Sequence, residues 1–154
     1  MKFIRSATDL LVFSLGKRER EWLLAVLALY PRLSAAPEKL SRSTGSPGPE
    51  SGQRLLDEAL AEQRAENRRQ MRALLADPRH FQETETGARL SLAPADLEWL
   101  LQILNDIRVG SWVRLGSPEA GPGVLNKQTA PDIWAMEMAG YFQSHLLEAM
   151  TGEA

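Results

Sequence analysis

The chain has 154 residues, of which 44% are hydrophobic and 25% are charged, and its formal net charge is −2 at pH 7. This length suits one domain with enough material for a hydrophobic core, so we predict a single domain over residues 1–154. The charge balance gives no sign of a polyanionic partner, because nucleic-acid binders usually carry a basic excess or a localised basic face.

The chain contains no cysteine and only two histidines, His80 and His145. The lack of cysteine excludes disulfides, thiolate zinc sites, iron–sulfur ligation and cysteine nucleophiles. Neither histidine has a second ligand at the spacing of a known metal motif, so we predict no metal and no cofactor. The longest apolar run, from Trp22 to Tyr30, is about half of the roughly 20 residues that span a bilayer. With no recognisable targeting segment, these features favour the cytoplasm.

Two short β-strands, a helix and a loop are predicted in the first third of the chain. Residues 2–15 hold two apolar patches separated by turn-type residues at 6–9, which favours an antiparallel hairpin. A helix follows over 17–30 and ends at Pro31. Eleven of the 21 residues in 31–51 are Pro, Ser or Gly, so we expect a mobile surface loop there.

A long helix is predicted over 53–76, because its residues are mostly good helix formers and Asp77-Pro78 follows. Gln63 and Asn67 interrupt its apolar stripe, and we expect them to weaken packing at the middle of the helix. Acidic residues accompany its basic face, which favours a solvated surface, with nucleic-acid binding as the alternative. The basic face consists of Arg64, Arg68, Arg69 and Arg72.

The second half of the chain predicts one extended region and two helices. Residues 79–93 fit either a hairpin or a single strand added to the N-terminal pair. The helices over 94–115 and 131–150 both begin with proline in the first turn, and Thr129 with Asp132 resembles a capping box. The last helix carries two apolar stripes, so we expect a homodimer contact or another partner to cover part of it.

A polar cluster interrupts the apolar helix over 94–115. Buried polar groups are costly unless they are paired, so these side chains need partners. Asn105 and Arg108 are three residues apart and can meet, whereas Asp106 faces another direction and needs a partner from elsewhere. We favour a polar lock between helices, followed by binding of a partner or ligand, with catalysis last. The cluster consists of Asn105, Asp106, Arg108 and Arg114.

No catalytic residue is predicted. The chain lacks the Gly-x-Ser-x-Gly pattern of a nucleophilic serine, and it has no cysteine for a thiol mechanism. The loop over 121–129 has glycines, a lysine and a threonine, but it lacks the glycine that precedes the lysine in a phosphate-binding loop. The residues therefore lean towards a protein without enzymatic activity.

The run Trp99-Leu-Leu-Gln-Ile-Leu-Asn-Asp-Ile-Arg108, followed by Arg114-Leu115-Gly116, resembles the central motif of the bacterial DUF2017 family, a domain of unknown function. The final helix and the short β segment before the first helix are similar to that family as well. Gly110-Ser111-Trp112 departs from its small–apolar–Gly run. The resemblance implies a mostly helical cytoplasmic protein without an assigned activity, whose gene is often a neighbour of the Clp protease adaptor gene.

The predicted fold is mostly α: a four-helix bundle-like domain with a small antiparallel β element at the N-terminus. For function we favour a non-catalytic protein-interaction or regulatory module, with the resemblance suggesting a link to cytoplasmic protein quality control. One alternative is a nucleic-acid-binding regulator that uses the basic helix face. The other is a small-ligand binder or enzyme centred on Asp106 and Arg108.

Overall fold

A computed structural model describes residues 1–5, 9–33, 50–119 and 123–152. The turn predicted at 6–9 and the loop predicted at 31–51 lie mostly outside the described residues. Four strands and four helices occur within the described part of the chain. In chain order they are β1 (Lys2–Arg5), β2 (Leu11–Gly16), α1 (Lys17–Leu27), α2 (Glu50–Ala76), β3 (Phe81–Thr84), β4 (Gly87–Leu92), α3 (Pro94–Arg114) and α4 (Ala130–Thr151).

A four-stranded antiparallel sheet corrects the predicted fold class. Its strand order is β1-β2-β4-β3, so strands from the middle of the chain join the N-terminal hairpin. The prediction of a mostly α, four-helix bundle-like domain with only a small N-terminal β element is therefore wrong. For residues 79–93, the hairpin and the strand added to the N-terminal pair both occur. Strands β3 and β4 form a hairpin, and β4 also pairs with β2, from Leu11↔Leu92 to Gly16↔Gly87.

Gly87 makes the junction between the two hairpins possible. Its φ of +153° lies in the region that favours glycine, and a Cβ there would stand 1.9 Å from the carbonyl oxygen of Leu15. The close approach of β4 to β2 at this end of the sheet therefore requires glycine at this position.

The hydrophobic core lies between the sheet and the helices. Phe13 and Leu15 alternate with half-buried residues along β2, which places them on one face. Leu90 and Leu92 lie two residues apart on β4 and are buried as well, as is Ser91 between them. Helix α1 packs against both strands and contributes Leu23, Val26 and Leu27. Burial of these apolar side chains supplies the main driving force for this packing.

Helices α3 and α4 form an antiparallel pair and make the most extensive contact of any two elements described. The C-terminal end of α3 meets the start of α4 through Arg114 and Asp132, while Gln143 of α4 donates to the carbonyl oxygen of Leu101 near the start of α3. Alanines on α4 allow the close approach, since Ala135 and Ala139 are fully buried.

Asn67 strengthens the packing of α2 where we expected weakness. Its amide donates to the Tyr30 hydroxyl at 2.8 Å, and its carbonyl oxygen accepts from the Trp99 indole N–H at 3.1 Å. At Asn67 the apolar stripe is therefore interrupted by a residue that links α2 to α3 and to Tyr30, three residues after the end of α1. Within the described residues, none of the helices is long and apolar enough to cross a bilayer.

Candidate functional site

The four residues of the polar cluster divide into two pairs in the structure. Asp106 and Arg114 contact other segments of the chain, and both contacts hold the fold together. Asn105 and Arg108 are exposed and line a cleft between α3 and α4. Asp106 faces a different direction on the helix from Asn105 and Arg108, in agreement with this division.

Asp106 binds the backbone of the segment that follows α1. Its Oδ1 accepts hydrogen bonds from the N–H of Arg32 at 2.7 Å and of Leu33 at 3.2 Å. Gly110 lies one turn further along α3, and a Cβ there would stand 2.5 Å from the carbonyl carbon of Arg32. The backbone after α1 therefore packs directly on α3, because the carboxylate of Asp106 binds it and Gly110 leaves space for it.

Asp132 accepts hydrogen bonds from the side chains of two arginines, Arg32 and Arg114. Its Oδ1 accepts from Arg32 Nη2 and, at 2.8 Å, from Arg114 Nε. Burial by itself would raise the pKa of Asp132, but the hydrogen bonds and charges of Arg114 and Arg32 outweigh burial and hold the pKa below its ordinary value. This three-residue lock joins α3, α4 and the segment after α1.

Sequence reasoning missed Asp132 because its position also fits a helix start signal. The predicted capping box is wrong: Thr129 makes no side-chain capping hydrogen bond. Its hydroxyl instead donates to the carbonyl oxygen of Val124 at 2.7 Å and accepts from the N–H of Asn126 at 2.9 Å. The only signal for the lock was a carboxylate close to a proline-led helix start, and that signal is common to many helices.

The candidate functional site is the cleft between α3 and α4, with a volume of about 290 Å³. Trp112 is 39% exposed, although its indole N–H donates to the carbonyl oxygen of Pro118 at 3.1 Å. An exposed tryptophan next to an arginine is typical of binding surfaces. The cleft is lined by Asn105, Arg108, Val109, Trp112 and Met136.

Arg108 lies across α4 without a carboxylate partner. Its Nη1 reaches the side-chain oxygen of Gln143 at a long 3.5 Å, and its Nε lies 3.9 Å from where a Cβ on Gly140 would stand. In the described part of the chain, no carboxylate lies within ion-pairing distance of this guanidinium. Most of the hydrogen-bonding capacity of Arg108 is therefore free for a ligand.

The basic face of α2 is not a continuous positive surface. Arg69 pairs with Glu66 at 2.6 Å, and Arg64 is half-buried. Arg68 and Arg72 are exposed, and they share the helix with Glu58, Glu62 and Glu66. Nearby Arg79 pairs with Asp77 at 2.8 Å. Of the four arginines of the basic face, only Arg68 and Arg72 are exposed without a described ion pair. Two such charges attract phosphates weakly, so this geometry gives little support to nucleic-acid binding.

The two histidines occupy separate places in the fold. His80 Nδ1 lies 2.9 Å from the carbonyl oxygen of Ser91, and the His145 ring packs edge-on against Tyr141 at 4.6 Å. Burial lowers the pKa of His145 below its ordinary value. Among the residues with described positions, no three acidic or histidine side chains converge in the manner of a metal site.

No protein-family model, curated protein or solved structure matches this chain. The resemblance of the Trp99–Arg108 run to the DUF2017 family therefore remains an expectation from the residues alone.

The division of the polar cluster predicts opposite outcomes for two alanine variants. Asp106→Ala leaves two backbone N–H groups without their acceptor, and we expect a loss of about 1–3 kcal/mol in the free energy of unfolding. Arg108→Ala removes an exposed side chain and should change it by less than about 0.5 kcal/mol. Urea unfolding of both variants provides the measurement. An unshifted Asp106→Ala curve would contradict the structural role of that carboxylate.

Proposed function

We propose that this protein is a non-catalytic, cytoplasmic protein-interaction module whose α3–α4 cleft binds a segment of a partner protein. The observation that carries this proposal is that one cleft contains both the exposed Trp112 and Arg108, which has no described carboxylate partner. Tryptophan and arginine are over-represented among the residues that dominate binding energy at protein interfaces. A regulatory role in protein quality control is a further proposal, and it rests on the family resemblance alone.

The chemistry of the cleft lining supports binding over catalysis. Its five residues are one amide, one guanidinium and three apolar or aromatic side chains. General acid–base catalysis uses a group that exchanges protons near the working pH, and nucleophilic catalysis uses an activated oxygen, sulfur or nitrogen. Guanidinium and amide groups do neither readily, whereas both form hydrogen bonds with a peptide. The alternative of a small-ligand binder or enzyme centred on Asp106 and Arg108 is also weakened. Asp106 already binds backbone N–H groups, so it is not available to a ligand or substrate.

A matched pair of tryptophan variants tests the proposal. Trp112 is 39% exposed and lies in the cleft, whereas Trp22 is 36% exposed and lies on α1. We expect Trp112→Ala to lose proteins captured by the wild-type chain from a lysate of the source cells, and Trp22→Ala to retain them. Quantitative mass spectrometry of the three captures is the measurement. Equal retention by Trp112→Ala would contradict a role for the cleft.

A homodimer through α4 is a second candidate, and the observation in its favour is apolar exposure near the end of that helix. Leu147 is 48% exposed and Met150 is 44% exposed, at the three-residue spacing of one helix face. Two side chains form a small patch compared with the area of a stable interface. Light scattering at micromolar concentration separates the candidates, because a clean monomer mass removes the homodimer.

A further inference from the structure

We infer that the partner segment carries a carboxylate side chain two residues away from a bulky apolar side chain, in an extended stretch of chain. This inference rests on the proposed function, since it names the chemistry of the partner that the α3–α4 cleft binds. The carboxylate pairs with Arg108, and the apolar side chain packs against Trp112, Val109 and Met136.

Charge complementarity identifies the carboxylate. Asp106, two residues from Arg108 on α3, already binds backbone N–H groups, and Asp132 on α4 binds Arg32 and Arg114. Glu137 is exposed on α4, and no ion pair joins Arg108 to it or to any other described carboxylate. The only described acceptor for Arg108 is the neutral side chain of Gln143, at 3.5 Å. A guanidinium binds a carboxylate through two parallel hydrogen bonds, which are shorter and stronger than a bond of that length to an amide.

The apolar half of the cleft is held in place before a partner arrives. The hydrogen bond from the Trp112 indole to Pro118 fixes one edge of the ring, while Val109 and Met136 are half-buried and line the same cleft. A rigid aromatic surface loses little conformational freedom on binding, so little of the free energy gained from contact with it is offset by lost entropy. An aliphatic or aromatic side chain therefore suits this half of the cleft better than a polar one.

The spacing of the two halves fits an extended chain. Arg108 and Trp112 are four residues apart on α3, which corresponds to about 6 Å along the helix axis. In an extended segment, side chains two residues apart point the same way and lie roughly 6.6 Å apart. Asn105 precedes Arg108 by one turn, where its amide can donate to and accept from the backbone of such a segment.

A peptide selection followed by charge reversal tests the inference. A phage-displayed library of random dodecamers is panned on the wild-type protein, with Trp112→Ala present as the soluble competitor that removes binders outside the cleft. Enriched sequences are made as fluorescein-labelled peptides and titrated against wild type, Arg108→Glu and the control Arg72→Glu, an exposed arginine on α2. Melting curves confirm that each variant is folded before its titration.

We expect the enriched peptides to share an Asp or Glu two residues from Leu, Ile, Phe or Trp. Arg108→Glu should weaken their binding by about 10- to 100-fold, while Arg72→Glu changes it less than twofold. Replacing the peptide carboxylate with Lys should restore binding to Arg108→Glu. Enrichment of cleft-dependent peptides without a shared acidic position would overturn this inference and leave the proposed function standing. Failure to enrich any peptide that Trp112→Ala loses would overturn both.

Discussion

Asp132→Ala should lower the free energy of unfolding by about 3–5 kcal/mol, because it removes the shared carboxylate of a largely buried lock. The Asp132 side chain is 10% exposed and its partner Arg32 is 14% exposed, so the variant leaves a buried guanidinium without its counter-charge. Arg114 is 58% exposed and regains water, so it contributes less to the loss. Against a total stability of roughly 5–15 kcal/mol, the melting temperature should fall by roughly 6–20 °C.

The pH dependence of a second variant, Asp132→Asn, separates loss of charge from loss of shape. The pKa of Asp132 is lower in the folded state than in the unfolded chain, so the unfolded chain binds more protons as the pH falls. The stabilisation by this carboxylate is therefore full above about pH 4 and is lost as the pH falls through the folded-state pKa. Urea unfolding at pH 3 and pH 7 should show a smaller gap between wild type and Asp132→Asn at the lower pH. Glu137→Ala, an exposed position on the same helix, serves as the control. A pH-independent gap would contradict this account.

Helix positions could be predicted from the sequence because proline and the local pattern mark them. The helices expected over 94–115 and 131–150 differ by only a residue or so from Pro94–Arg114 and Ala130–Thr151. The sheet could not be predicted as a unit. Its strands have four to six residues, too few for a periodic signal, and the pairing of Leu90 with Phe13 joins segments far apart in sequence.

The candidate site could be predicted only in part, for a different physical reason. The sequence identified Asn105 and Arg108 as polar groups in an apolar helix, and the structure places both in the cleft. It could not identify the partner of Asp106, since that partner is a backbone N–H, which every residue except proline carries. Nor could it predict Met136 as a cleft residue, because that depends on how α4 lies against α3.

Gly110→Ala should destabilise the fold by roughly 2–4 kcal/mol, although alanine is the better helix former. The new Cβ would stand 2.5 Å from the Arg32 carbonyl carbon and 2.6 Å from the Leu33 nitrogen, which are backbone atoms that cannot rotate away. The segment after α1 must shift, and it then loses its two hydrogen bonds to Asp106. Overpacking strain and lost hydrogen bonds to a charged acceptor together outweigh the gain of about 1 kcal/mol in helix propensity.

The structure offers a matched glycine for this experiment. Gly140 lies within α4, and a Cβ there would come no closer than 3.9 Å to Arg108 Nε, so Gly140→Ala should leave stability unchanged or raise it by up to about 1 kcal/mol. Urea unfolding of both variants is the measurement.

The double variant Asp106→Ala/Gly110→Ala adds a second criterion. Because both changes release the same backbone segment, its loss of stability should fall short of the two single losses combined. If the losses in the free energy of unfolding were additive, or if Gly110→Ala were as stable as Gly140→Ala, the segment after α1 would not be packed on α3 as described.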